Sequence, residues 1–197
     1  MLFVRYESFR QYIRLYPVTS AILLVNIALF VLMTWVGSSK NPETLIQFGA
    51  LFSEPPYSGE YWRYVAAAFL HIGFDHLLFN SFSIFVFAPP LERLLGHWRY
   101  AVFYLGSGVI GNVVGELLHR GVHLSAGASG AIYGIFAAYL YIAIFHKQAI
   151  DKSSSTTIKI VLVVGVIYSF ITPSVNWYAH LGGFAGGWLL FRQMIRR

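Results

Sequence analysis

Gly127-Ala128-Ser129-Gly130-Ala131-Ile132 sets a hydroxyl between glycines at the head of an apolar run that continues to Phe145. A second polar site, Ala179-His180-Leu181-Gly182-Gly183, opens the last hydrophobic stretch of the chain. A serine and a histidine at the same end of two membrane helices have the pattern of a nucleophile and its base. Ionisable side chains are costly in hydrocarbon, so each one found there implies a function. That reading requires both stretches to cross a bilayer and to start on the same side of it.

Composition supplies the bilayer. The 197 residues are 57% apolar and 11% charged, with a mean hydropathy of +0.61, whereas a soluble domain carries about a quarter charged residues. The absence of cysteine excludes disulfides, thiol catalysis and the usual soft metal ligands. Apolar runs of about 20 residues read as spans, and six are present, near Val18–Val36, Ala66–Ala88, Tyr100–Leu118, Ser129–Phe145, Ile158–Thr172 and Ala179–Met194. The expectation is an all-α membrane protein, a single domain over 1–197 built as a six-helix bundle. The first run follows basic residues but is too long for the apolar core of a signal peptide, so it reads as an uncleaved anchor.

Charge tests the count. With the N-terminus inside, the inner segments hold Arg5, Arg10, Arg14, Arg93, Arg99, Lys147, Lys152, Lys159, Arg192, Arg196 and Arg197; the outer ones hold Lys40, Arg63 and Arg120. This is the positive-inside bias, and it requires an even number of spans with both termini cytoplasmic. The net charge of +6 and pI of 9.6 are therefore topology, and nucleic acid is not an expected partner.

Along the chain, the outer loop at Gly37–Val65 is long for a compact bundle and rich in aromatic residues, a composition suited to the headgroup region. Pro89-Pro90 is expected to end the second span, since proline cannot continue the helical ladder. Small residues recur four apart at Gly111 and Gly115, at Gly130 and Gly134, and at Ala179, Gly183 and Gly187. Such stripes let membrane helices approach closely. In the third span they read as ordinary contacts; in the fourth and sixth they begin beside Ser129 and His180 and would bring the two together.

The second, fourth and sixth spans run from outside to inside, so Ser129, His180 and the cluster His71, His76 and Asn80 fall at one depth near the outer face. Ser129 needs a base, and His180 is the one available near the sixth span's start. No acidic residue lies close by in sequence, so the expectation is a Ser-His dyad. Tyr133 shares a helix face with Ser129, and its ring is expected to stack on His180. A serine alone in a membrane helix reads as packing; with His180 and Tyr133 it reads as the nucleophile. His76 and Asn80, four apart, can aim N–H groups at one oxyanion, joined by the free backbone N–H of Ser129. For His71 a structural role is preferred.

Over nearly its full length the chain resembles the rhomboid intramembrane serine proteases in their six-span form. The resemblance rests on Gly127-Ala128-Ser129-Gly130 with Tyr133, and on Ala179-His180-Leu181-Gly182-Gly183. Trp62-Arg63, the His71…His76…Asn80 series and Glu92-Arg93 with Leu95-Gly96, likened to an inner loop, also match. It implies Ser129 as nucleophile, His180 as base, His76 and Asn80 as oxyanion donors, and Trp62-Arg63 shaping a loop in the outer leaflet. Gly127, Gly130, Tyr133 and His71 support the site. It further implies a multi-pass cell-membrane enzyme, active near the extracytoplasmic face, that cleaves membrane-spanning substrates without cofactor or metal. Val175-Asn176-Trp177-Tyr178 lacks an acidic residue that some relatives carry before the histidine.

Two rivals differ in class. A catalytically silent relative that binds membrane clients would lack Ser129 or His180, and both are present. A metal transporter would need a ligand set, and neither H-E-x-x-H nor a carboxylate–histidine group appears. His119 and His123 read as solvated, with Glu116 paired to Arg120 at i+4.

Overall fold

Apolar runs in hydrocarbon must satisfy their own backbone groups, which selects helix. The computed structural model describes residues 2–172 and 175–195; Arg196 and Arg197, assigned above to the inner side, lie outside them. The helices are α1 (Phe9–Leu15), α2 (Pro17–Val36), α3 (Pro42–Gln47), α4 (Arg63–Ala66), α5 (Phe74–Leu95), α6 (His97–Leu118), α7 (Ser129–Phe145), α8 (Lys152–Ile171) and α9 (Trp177–Ile195). By length and composition α2, α6 and α8 are able to cross a membrane; Arg63–Phe69 with α5, bent by 90°, makes a fourth candidate. The chain is an integral, multi-pass, all-α protein.

The helix α7 is the axis of the fold. Every residue from Gly130 to Tyr139 is buried, as expected for a helix apolar on all sides. It packs between α6 and α9 along the small-residue stripes. A Cβ on Gly111 of α6 would lie 2.7 Å from the Ala179 carbonyl and 3.3 Å from the Gly130 Cα. The third-span stripe, read as ordinary contacts, is therefore part of the same three-helix junction.

Two corrections concern α5. The expected second span from Ala66 starts instead at Phe74: residues 63–69 form α4 and a 3-10 turn (Ala67–Phe69), set at 90° to α5. Pro89-Pro90 does not end the helix, which continues to Leu95. The two prolines leave the carbonyls of Phe85 and Val86 without their helical donors. Tyr12 Oη donates to the Phe85 carbonyl at 3.1 Å and Arg5 Nη2 to that of Val86 at 3.5 Å. Tyr139 Oη donates to the next one, Phe87, at 2.7 Å. Foreign donors replace the missing ladder, which is how membrane helices tolerate proline.

Glu92 and Arg93, likened above to an inner loop, lie on the last turns of α5, which Gly96 closes with φ +78°. The Glu92 carboxylate is fully buried and caps α2. It accepts from the N–H groups of Val18 (3.0 Å) and Thr19 (2.8 Å) and from Thr19 Oγ1 (2.6 Å), and His97 Nδ1 lies 2.7 Å from it. A negative group is favoured here by both the free N–H donors and the helix dipole.

A pair of two-residue strands that the sequence reading lacks ties the outer loop to the entry of α7. Strand β1 (Leu51–Phe52) runs antiparallel to β2 (Leu124–Ser125), with Leu51 opposite Ser125. Nearby, Glu116 pairs with His123 Nε2 at 3.0 Å rather than with Arg120, and the His123 side chain is mostly buried rather than solvated. The intervening turn at Gly121 (φ +88°) returns the chain over α6 and carries His123 back to the carboxylate.

Candidate active site

Ser129 is the first residue of α7, and the Gly127 N–H anchors its approach by donating to the Ala67 carbonyl at 2.8 Å. His180 lies in the first turn of α9. Because α7 and α9 touch backbone to backbone at Gly130 and Gly183, these two side chains meet. Ser129 Oγ is 2.8 Å from His180 Nε2, within the range for proton transfer.

Two groups fix the imidazole. The Tyr133 ring stacks on it at 4.3 Å between centroids and 14° between planes. Ser169 Oγ, on α8, is 2.7 Å from Nδ1. Sequence reasoning missed Ser169. Its signal was slight: a hydroxyl near the end of an apolar helix, a residue type common in membrane helices for packing reasons. What meets Nδ1 is not a carboxylate but a buried neutral hydroxyl.

His76 and Asn80 lie on one face of α5. His76 Nδ1 accepts from the Ile72 N–H at 3.4 Å, which leaves Nε2 as the protonated nitrogen of the neutral ring. That nitrogen faces Gly127: a Cβ at 127 would sit 2.9 Å from His76 Nε2 and 3.6 Å from Ser129 Oγ. Gly127 adopts φ +148°, so glycine there serves both backbone conformation and clearance. Asn80 is buried, and its Nδ2 donates to the His76 carbonyl at 2.9 Å, leaving its second N–H available. His71 is fully buried and stands edge-on to His76 at 5.3 Å.

The outer loop is held by Arg63, which is 4% exposed. Its guanidinium donates to Glu60 (2.6 Å) and to the carbonyls of Ile46 (2.6 Å) and Ala50 (3.0 Å). It also lies against the Tyr57 and Trp62 rings. Trp62 fills the space beside Gly49 where a side chain would stand, and Asn112 of α6 donates to the Tyr64 carbonyl at 2.8 Å. Trp62 and Arg63 thus fix a loop and do not touch Ser129 or His180 directly.

Comparison with known proteins identifies the family. Residues 58–197 match the model of the rhomboid domain. The chain is 40% identical to the rhomboid protein YdcA of Bacillus subtilis (strain 168), over 96% of this chain and 94% of that one. It is 32% identical to the rhomboid protease GluP of the same organism, over 86% of this chain and 33% of that one. To the rhomboid-type serine protease 2 of Emericella nidulans it is 32% identical, over 71% of this chain and 28% of that one. It therefore spans nearly the whole of the first relative and about a third of the other two. On this breadth of match the chain belongs to the rhomboid family.

Proposed function

We propose that this protein is an intramembrane serine endopeptidase that cleaves membrane-spanning segments of other proteins through an acyl-enzyme. The observation that carries the reading is the 2.8 Å approach of Ser129 Oγ to His180 Nε2. His180 takes the Ser129 proton as Oγ attacks the scissile carbonyl. His76 Nε2–H, the Asn80 amide and the Ser129 backbone N–H stabilise the oxyanion of the tetrahedral intermediate. His180 then returns the proton to the leaving nitrogen as the C–N bond breaks. Water, deprotonated by the same imidazole, hydrolyses the ester and restores the Ser129 hydroxyl.

The membrane frame of this proposal is six spans with both termini cytoplasmic in the cell membrane. It is supported by the distribution of basic residues and the positive-inside bias. Depth follows from length. The 17 residues of α7 reach about 25 Å at 1.5 Å each, short of the ~30 Å hydrocarbon core. With its inner end at the cytoplasmic boundary, its Ser129 end is recessed below the outer one. There it opens to water that hydrolysis needs, beneath the loop pinned by Arg63. A helical substrate must unwind locally to present its carbonyl, so substrates carry helix-weakening residues near the cut.

The test is cleavage of a single-span substrate in liposomes by wild type, Ser129→Ala and His180→Ala, with fluorophosphonate labelling alongside. Products from wild type alone, with label on Ser129, are expected. Intact folded protein that neither cuts nor takes the label favours a binding-only member of the family.

A further inference from the structure

Backbone-directed hydroxyls are common in these helices. Thr34, Ser83, Ser107, Thr156 and Thr157 each donate to a carbonyl four residues earlier, the usual satisfaction of a helical hydroxyl. Ser169 does the same, to Gly165 at 2.8 Å. Among the described residues it is the one such hydroxyl whose oxygen also meets two further side chains: His180 Nδ1 at 2.7 Å and Tyr133 Oη at 3.0 Å.

A single proton arrangement satisfies these contacts with a neutral imidazole. The Gly165 carbonyl only accepts, so the Ser169 proton goes to it. Ser169 Oγ is then left with two lone pairs and nothing to donate, and both Tyr133 Oη–H and His180 Nδ1–H must donate to it. An imidazole protonated at Nδ1 has a bare Nε2, and that nitrogen faces Ser129 Oγ at 2.8 Å. The space for this network is made by Gly165, where a Cβ would lie 2.7 Å from Tyr133 Oη.

We propose that Ser169 is a positioning residue for the hydrolytic reaction: it selects the His180 tautomer able to accept the Ser129 proton and holds the ring in line. This rests on the reading of Ser129 and His180 as the catalytic pair. The role is the one a buried carboxylate has in a triad, taken here by a neutral oxygen, so it supplies orientation without charge. The same contact joins α8 to the dyad, which α7 and α9 otherwise complete alone.

The experiment compares wild type, Ser169→Ala and Ser169→Thr in detergent, reading the rate of Ser129 labelling by a fluorophosphonate and kcat and KM on a single-span substrate. Loss of an orienting carboxylate costs a triad about 10⁴ in kcat. For a neutral hydroxyl the expected loss in Ser169→Ala is roughly 10- to 100-fold, equal in labelling and kcat with KM little changed, and Ser169→Thr recovers most of it. Wild-type rates in folded Ser169→Ala overturn this proposal and leave the dyad standing. A wild type that takes no label overturns the dyad itself, and this role with it. If Ser169→Ala does not fold, the 15N spectrum of histidine-labelled wild type decides, with His180→Ala giving the assignment. A neutral His180 protonated at Nδ1 supports the proposal, and one protonated at Nε2 refutes it.

Discussion

Gly183 on α9 backs onto Gly130 on α7 so closely that a Cβ at position 183 would overlap the Gly130 carbonyl. Gly130 is the residue after Ser129, and Gly183 lies one helical turn beyond the approach of His180. The separation of the two helices at this point therefore sets the distance between Ser129 and His180, the proposed nucleophile and base. Gly183→Ala must push α9 away from α7, and overpacking of this kind costs about 1–3 kcal/mol. The expected result is a lower Tm and cleavage reduced to background. Gly59→Ala, where no atom lies within 4 Å of the added carbon, serves as the control and should change neither. Normal turnover by Gly183→Ala would show that dyad distance is not governed by this contact.

Gly127→Ala tests the other wall of the site. The position combines φ +148° with a Cβ only 2.7 Å from His76 Cε1, so the new methyl displaces the His76 ring from the space beside Ser129. Removing one oxyanion donor costs about 10²–10³ in kcat. Gly127→Ala should lose rate on that scale at nearly constant KM, as should His76→Ala. If the two losses multiply in the double variant instead of coinciding, Gly127 acts through something other than His76.

The helices of this fold were legible because long apolar runs in a bilayer have one solution. Predicted Ser129–Phe145 and observed α7 coincide; α2, α6 and α9 start one to three residues before the expected stretches, and α8 starts six residues earlier, at Lys152, and stops one short of Thr172. What periodicity could not show is where a polar group from elsewhere rescues the backbone. Pro89-Pro90 reads as a stop until Tyr12 and Arg5, more than 70 residues away, supply donors to α5. In the site, Ser129, His180 and Tyr133 stand out from sequence because glycines frame them or helical spacing links them. Ser169 does not, because its meaning lies in the tertiary packing of α8 against Tyr133 and His180. Glu116 was assigned a partner by helical spacing, and a turn that carries His123 back over α6 supplied another.

Glu92 holds the opposite end of α5 from His76, so its loss should separate stability from catalysis. Glu92→Ala strips acceptors from the N–H groups of Val18 and Thr19 and from the Thr19 hydroxyl. Leaving several buried donors unpaired costs about 3 kcal/mol or more. Unfolding titrations in mixed detergent should show that loss, with Thr19→Val costing about 1 kcal/mol because it removes a single bond. At temperatures where Glu92→Ala stays folded, kcat per folded molecule should match wild type. A fall in kcat there would connect the inner cap to the site.

The Tyr12 hydroxyl matters because Pro89 has no N–H to offer Phe85. Tyr12→Phe keeps the ring, which stacks on Phe85 at 4.8 Å, and removes only the donor to the Phe85 carbonyl. In the wild-type background the loss should be about 1–2 kcal/mol, the cost of an acceptor stranded in an apolar setting. Pro89→Ala restores an N–H that can complete the helical bond to the same carbonyl. In the Pro89→Ala background Tyr12→Phe should therefore cost about 0.5 kcal/mol or less, giving a coupling near 1 kcal/mol in the double-mutant cycle. Equal costs in both backgrounds would mean that the Tyr12 hydroxyl acts through something other than the carbonyl that Pro89 leaves without a helical donor.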